Sequence, residues 1–536
     1  MMSAAAFVLA ASRINHGLID SRLPAGPGLT LDESFNVGQG VYLAEAIGRH
    51  GPMILTPTVA KEVFAARDYL SDHPPVGRIL LGMAHQMTAW LIGGADGCSI
   101  NITAARTGSC FAFAVLIFLV FEFCRRHFDQ PTATAAAVAL IFMPQFIGHA
   151  RLATLETSTV LAWSAAVLAF ASWWTRTTPP TNRQAIFCGA LWGGLMLTKM
   201  QGILLPPLIA GWSLYHLRIR AIRPLLLWTL SGLFVAFVCW PWLWLDPMEH
   251  IRQYLGRASD RQTLYVWYLG ERFADKLVPW HFPFVMTLIT VPVYALLSLV
   301  MRAMNRQMQT IEWFLLAATL WPLIVFALPG TPVYDGTRLF LCIMPSLAIL
   351  AARGFALSIR RIREARLHPE TVPVGRWLPA CLLITVIALA KTTADRSWLS
   401  PYAINEYNDL VGRGRGAWRL GMESCYWSDS LNGDFWKHIA EDTTIFVAPV
   451  SHQFQLNAIE SLVPVVARKN IHLVPFEYDS QRQRGPLLLL HRLADLRRSL
   501  REVPPGAELL IEVQYDGVVL ARLIDTTHAE WDELPE

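Results

Sequence analysis

The sequence predicts a mainly α, polytopic membrane protein with a small α/β domain at its C-terminal end. Three observations carry this. Hydrophobic residues make up 53% of the 536 positions and charged residues only 16%, against roughly 25% charged in soluble chains. About ten apolar stretches approach the length of a spanning helix, which needs roughly 20 residues. Arg and Lys collect in alternate connections between those stretches, the usual mark of the cytoplasmic side.

The expected spans are 101–124, 131–149, 155–174, 185–198, 200–217, 224–245, 283–301, 312–329, 338–357 and 378–394. The pair at 185–217 is short, with a break expected near Lys199. Arg125 and Arg126 follow the first span, Arg176 and Arg183 the third, and Arg218, Arg220 and Arg223 the fifth. Arg302 and Arg306 follow the seventh, and Arg360, Arg361, Arg363, Arg366 and Arg376 the ninth. The intervening turns carry few, chiefly Arg151 and Lys199. The basic turns therefore read as cytoplasmic. Residues 14–100, 246–282 and the tail from 396 to 536 read as extracytoplasmic, around a helical domain at 101–395. In the tail, "TIFVAPV" and "ELLIEVQY" read as strands and "LLLLHRLADLRRSL" as helical, which makes a small α/β domain. Residues 1–13 are apolar but too short to span. No basic region precedes them as in a signal peptide. A truncated first span and an interfacial segment both remain open.

The net charge of +4 is small, and no basic stripe dominates. That argues against a nucleic-acid binder and leaves local anion sites open. The eight Cys show no C-x-x-C or zinc-type spacing. Six lie in apolar runs; Cys98 and Cys425 do not, and a disulfide between them is open.

The first loop holds the chemistry. In "LDESFNVG", Asp32 is placed to cap the helix that follows, with Glu33 in a favourable first turn. Neighbouring helical residues point about 100° apart, so one carboxylate is free for another task. In "SDHPPVGRILLGMAHQM", His73 is held extended by the next Pro and Pro75 suits the first helical position. Arg78 then opposes the helix dipole, which makes sense if an anion binds there. The helix from Val76 to Ile92 reads as interfacial. Arg106 opens the first span, Arg151 and Glu156 flank the turn in "GHARLATLETS", Lys199 stands in "LMLTKMQGILLPP", and Arg338 follows "VYDGT". Ionisable groups at membrane depth are costly and usually face a cavity. Together they predict one polar, anion-handling site at the outer surface.

The order of these motifs resembles the GT-C membrane glycosyltransferases of family 39, the protein O-mannosyltransferase and aminoarabinose-transferase-like enzymes, with ten or eleven spans. Those carry a first-loop Asp-Glu and an "HPP" followed by Lys; here Arg78 replaces that Lys. "ARLATLE" resembles a second-loop Arg…Asp element, with Glu156 in the Asp place. "LTKMQGILLPPL" is similar to a segment that binds donor phosphate. "PVYDGTRLFL" and "NEYNDLVGRGRGAWRLGMESCYWSDSL" look like segments of bacterial members.

The resemblance implies a multi-pass enzyme of the cell (inner) membrane. It would move a sugar from a polyprenyl-phosphate donor to an acceptor hydroxyl on a lipid, protein or polysaccharide, with inversion. It implies Asp32 as general base beside Glu33, and Arg78, Arg106, Lys199 and Arg338 on the donor phosphate. His73, Glu156 and Arg151 would shape the loop and acceptor site. A divalent metal on Asp32 and Glu156 is open. The reading from another class is a transporter or flippase of a lipid-linked sugar or other anion. The absence of a clear repeat between halves, and a site in an outer loop, favour the enzyme.

Overall fold

The computed structural model describes residues 1–17, 24–92, 98, 100–257, 262–305, 307–368, 377–450, 452–477 and 483–530. Arg306 and Arg376, counted above among the basic connections, lie outside the described residues.

The chain is a multi-pass membrane protein. Four described segments are long and apolar enough to cross a membrane: Ile102–His127, Met200–Val238, Arg338–Leu367 and Trp377–Leu399. Two bent pairs raise this to six if each is one span: Gln130–Ile141 with Pro144–Ala150, bent by 71°, and Phe282–Thr290 with Val293–Met304, bent by 110°. The remaining expected spans are helices too, Glu156–Trp174, Asn182–Met196 and Thr310–Phe326, of which the last two are short for a bilayer at 15 and 17 residues. The 39-residue run Met200–Val238 joins two expected spans through the 3-10 turn Arg218–Ala221. The break near Lys199 is present: the helix before it ends at Met196 and Lys199 is fully extended.

Ends of opposite character follow from the chain direction. Arg125 and Arg126 sit at the C-terminal end of Ile102–His127, and Arg360, Arg361, Arg363 and Arg366 near that of Met344–Leu367. The candidate site residues Arg106, Glu156 and Arg338 sit at or beside the N-terminal ends of Ile102–His127, Glu156–Trp174 and Met344–Leu367. At the Arg-rich end, Arg302 is buried rather than free, bonding Glu312 at 2.7 Å, while Arg353 bonds Asp129 at 3.1 Å.

The loop at 246–282 forms a helix, Pro247–Gly256, and an antiparallel hairpin of β1 (Tyr265–Tyr268) and β2 (Glu271–Ala274). The tail folds into a five-stranded sheet. Its strands are β3 (Thr444–Ala448), β4 (His472–Pro475), β5 (Pro486–Leu490), β6 (Glu508–Tyr515) and β7 (Val518–Asp525), in the order β4-β3-β5-β7-β6. β4, β3 and β5 are parallel, and β7 joins antiparallel to β5 and β6. The "LLLL" run expected to be helical is β5. An apolar run this short suits a strand buried on both faces as well as a helix, and here β3 and β7 flank it. Cys98 and Cys425 are both free thiols.

One apolar core couples the sheet to the membrane part. Leu29, Val37, Leu81, Ile102 and Leu155 pack in the same cluster as Leu431, Ile445 and Leu488. The segment at 1–13 is the helix Met2–Ala11, packed on Ile102–His127. The helix Pro75–Ile92 starts at the expected proline. It exposes Met83, Met87, Trp90 and Leu91, an apolar face suited to a lipid interface.

The helices Leu31–His50 and Pro75–Ile92 cross at paired glycines. A Cβ on Gly82 would lie 1.9 Å from the Gly40 carbonyl oxygen, and one on Gly40 would lie 2.3 Å from that of Arg78. Backbone is in the way, so no rotamer relieves it. Gly82→Val is expected to cost at least about 2 kcal/mol and to lower the thermal melting temperature of detergent-purified protein. An unchanged melting curve would show that the two helices do not meet there.

Candidate active site

The helix Leu31–His50 begins two residues earlier than the Asp32 cap predicts. Thr30 is its N-cap, and Asp32 and Glu33 are its second and third residues. This shift separates the two carboxylates. Glu33 accepts from the Thr30 backbone N at 3.0 Å, as the third residue of a capping box does. Asp32 is left uncommitted to the cap, and its side chain keeps 35% of its surface exposed.

Glu33 is fully buried and receives a two-pronged Arg106: Nε to Oε1 at 2.7 Å and Nη2 to Oε2 at 2.8 Å. Oε1 also accepts from the Ala153 backbone N at 2.7 Å. Arg106 spends its other N–H groups on the Ile14 and Pro27 carbonyls from Nη1 and the Gly28 carbonyl from Nη2. All five of its donors are used. Burial pushes the Glu33 carboxyl up, but Arg106 and the backbone N–H groups outweigh it and hold it below its ordinary value. The expectation that Arg106 binds phosphate and Glu33 acts in catalysis is therefore corrected. They are the bolt that closes the first loop on the bundle.

Arg78 is corrected in the same way. It is 1% exposed. Its Nε donates to Asn36 Oδ1 at 3.1 Å, Nη1 to the Leu70 carbonyl at 2.7 Å, and Nη2 to Asp72 Oδ2 at 2.9 Å. A carboxylate, not a ligand, offsets its place in the first turn. Arg151 is fully buried, donating to the Ser400 and Leu9 carbonyls at 3.2 and 3.3 Å, and does not line the cavity described next.

The others converge. A cavity of about 600 Å³ is lined by Asp32, His73, Lys199 and Arg338, with Tyr334, Asp335 and Trp427 beside them and the sheet forming the far wall. Arg338 is its hub. Its Nε donates to Glu156 Oε1 at 2.6 Å, Nη1 to Asp335 Oδ2 at 3.0 Å, and Nη2 to Asp32 Oδ2. Its guanidinium lies 4.8 Å from the centroid of the Trp427 ring. Lys199 Nζ donates to the same Glu156 oxygen at 2.6 Å. The extended backbone at Lys199, in the break between helices, is what lets that side chain reach the helix at 156. Burial, with the cations Arg78, Lys199 and Arg338, lowers His73 to about 3, so at neutral pH it is an uncharged hydrogen-bonding group.

The metal expectation does not fit. The Arg338 guanidinium stands between Asp32 and Glu156 and bonds both. Among the described residues, no three His, Cys, Asp or Glu side chains are grouped as ligands.

Asp335, Trp427 and Arg492 are site residues that sequence reasoning did not assign. Asp335 has a positive φ of 53°. It accepts from Arg338, from Trp427 Nε1 at 3.1 Å and from Arg492 Nη2 at 3.3 Å. The sequence signal was the pair of segments "PVYDGTRLFL" and "ESCYWSDSL", noted without a role. Their meeting needed the tail folded back over the helices.

Residues 72–245, about a third of the chain, match the family model described as dolichyl-phosphate-mannose-protein mannosyltransferase. The matched segment holds the "HPP" turn, Glu156 and Lys199, and it agrees with the GT-C resemblance of the motifs. The chain is similar in structure to ArnT from Cupriavidus metallidurans bound to undecaprenyl phosphate, at 12% identity, 97% coverage of each chain and a TM-score of 0.49. It is also similar to the Archaeoglobus fulgidus oligosaccharyltransferase tethered with an acceptor peptide. There the identity is 12%, coverage 88% of this chain and 63% of that one, and the TM-score 0.46. A search of curated proteins finds no match.

Glu33→Gln leaves Arg106 buried without its counter-charge, which costs about 3–5 kcal/mol. The expected result is a lower melting temperature and poor yield of folded protein. The carboxyl is held below its unfolded value near 4.5. Its contribution is therefore present above that pH and lost as pH falls through the folded value. Wild-type stability should drop on acidification, and the variant should lack that component. A variant that melts like wild type and is slowed only in turnover would overturn the structural role.

Proposed function

We propose that the protein is an integral-membrane glycosyltransferase. It moves a sugar from a polyprenyl-phosphate donor to an acceptor hydroxyl on the extracytoplasmic face, inverting the anomeric centre. The observation that carries this reading is the joining of Asp32, Lys199 and Arg338 in one cavity. The match to a family named for a dolichyl-phosphate sugar donor supports it. So does the opposition of this cavity to the Arg-rich helix ends.

Asp32 takes the proton of the acceptor hydroxyl. The oxygen forms a bond to the sugar C1 as the bond from C1 to the phosphate oxygen breaks. The electron pair of that bond leaves on the phosphate. Charge grows there, and Arg338 and Lys199 are placed to stabilise it. Glu156 has one oxygen shared by both cations and holds them in position. In the free enzyme Arg338 also bonds Asp32. A donor phosphate that draws on Arg338 weakens that bond and frees Asp32 to accept the hydroxyl proton. His73, uncharged, orients a hydroxyl at the same wall.

Membranes carrying wild type or Asp32→Asn, supplied with radiolabelled polyprenyl-phosphate sugars, test the reading. Wild type should transfer label to an acceptor-bound or water-soluble fraction, and Asp32→Asn should lose about 10²–10⁴-fold of that rate while folding normally. Label crossing the membrane still on its carrier, equally in both, would favour a transporter and sink the assignment. Lys199→Ala should retain the fold and lose activity chiefly through weaker transition-state stabilisation. Removing one charge-stabilising donor costs about 10²–10³ in turnover, read by steady-state kinetics against donor.

A further inference from the structure

The cavity continues beyond Asp32 and Arg338 to the tail sheet, and that far wall has the geometry of a binding edge. Three strands are parallel in the order β4-β3-β5. From β3 the chain crosses to β4 on one side, then returns past β3 to β5 on the other. The strand order therefore reverses at β3, and ligands of open α/β sheets bind beyond the carboxyl ends of the strands at such a point. Here those ends are Val447 near the end of β3 with Pro449 and Val450 after it, and Leu490 at the end of β5 with Arg492 after it, and all line the cavity.

Beside the turn after β5 stands the hairpin of β1 and β2, which contributes Tyr265 and Arg272 to the lining. Among the described residues, four Lys and Arg side chains line the cavity: Lys199, Arg272, Arg338 and Arg492. Three are balanced by carboxylates. Lys199 has Glu156; Arg338 has Asp32, Glu156 and Asp335; Arg492 has Asp335 at 3.3 Å and Asp495 at 2.9 Å. Arg272, a solvent-exposed side chain, has no carboxylate within ion-pair distance among the described residues, although its charge also acts on Asp495. Its Nε donates to the Ala494 carbonyl at 2.6 Å, and its guanidinium is stacked 3.4 Å from the centroid of the Tyr265 ring. The pair is a diagonal neighbour across the hairpin. The Nε bond and the stack fix the guanidinium plane, and among the described residues Nη1 and Nη2 are left to donate. A pre-oriented fork of this kind matches the two oxygens of a carboxylate or phosphate.

We propose that Arg272, stacked on Tyr265, binds an anionic group of the acceptor at the sheet end of the cavity, so that the acceptor is a hydroxyl compound bearing a phosphate monoester or carboxylate. This rests on the glycosyltransferase reading for the word acceptor, and the site itself stands on the geometry above. The donor phosphate belongs to Lys199 and Arg338 at the membrane end; the acceptor anion belongs to Arg272 at the other. Asp32, which takes the proton of the acceptor hydroxyl, lines the same cavity.

The test uses full-length protein in detergent, first saturated with undecaprenyl phosphate to fill the donor end. Phenyl phosphate and glucuronate are then titrated separately by calorimetry, as probes of the phosphate and carboxylate cases. Wild type is expected to bind at least one. Arg272→Gln, which keeps a donor for the Ala494 carbonyl, should weaken that binding at least tenfold and leave undecaprenyl phosphate binding unchanged. Arg272→Lys keeps the charge without the fork and should fall between. No binding of either probe by wild type, or equal binding by wild type and both variants, overturns the site. Arg272-dependent binding of a probe in a protein that does not bind undecaprenyl phosphate would uphold the anion site while removing the donor reading on which the proposed reaction stands.

Discussion

The buried bond between Glu33 and Arg106 governs the rest of the structure. Both side chains are fully out of water, where an unmatched charge would be prohibitive. The pair is tolerable because every donor of Arg106 and both oxygens of Glu33 are matched. Those matches come from Ile14, Pro27, Gly28, Thr30 and Ala153. One ion pair thereby ties the N-terminal segment, the first loop, the helix at 102 and the turn before 156. It also fixes the helical phase at residue 33. Residue 32, about 100° away around the helix, must then face the cavity.

A second hub is built on that frame with the opposite balance. Arg338 meets three carboxylates, Asp32, Glu156 and Asp335, from the first loop, a helix start and its own turn. The frame pair is closed to solvent and saturated; this one borders the cavity, with Asp32 partly exposed. The contrast separates saturated charge from charge that faces the cavity better than burial alone. Arg78 and Arg106 are spent on neighbours, whereas Lys199 and Arg338 reach the cavity surface.

The tail completes the cavity rather than standing apart from it. Trp427 bonds Asp335 and lies under Arg338, and Arg492 reaches Asp335 from beyond β5. Glu423 accepts from the backbone N of Leu493 and Ala494, both at 2.9 Å, which fixes the turn carrying Arg492. Burial raises that carboxyl to about 7. The tail is thus held by buried polar bonds as well as by the apolar core it shares with the first loop.

The sequence by itself determined the membrane class, most helix positions, the break at Lys199 and the placing of Asp32, His73, Lys199 and Arg338 in one polar set. These depend on apolar run length, proline and the cost of charge in lipid, all of which act locally along the chain. Tertiary structure decided which carboxylate was bolt and which was free. A shift of one helix start, from a cap at Asp32 to one at Thr30, settles that, and both caps are good. It also decided that Arg78, Arg106 and Arg151 are spent on the frame, because their partners are backbone carbonyls and two carboxylates, Asp72 and Glu33, that no spacing rule announces. Finally, it decided that "LLLL" is a strand and that Asp335, Trp427 and Arg492 share one site. Those outcomes rest on long-range pairing and on the tail folding over the helices, through contacts such as that of Asp335 with Arg492, 157 positions apart.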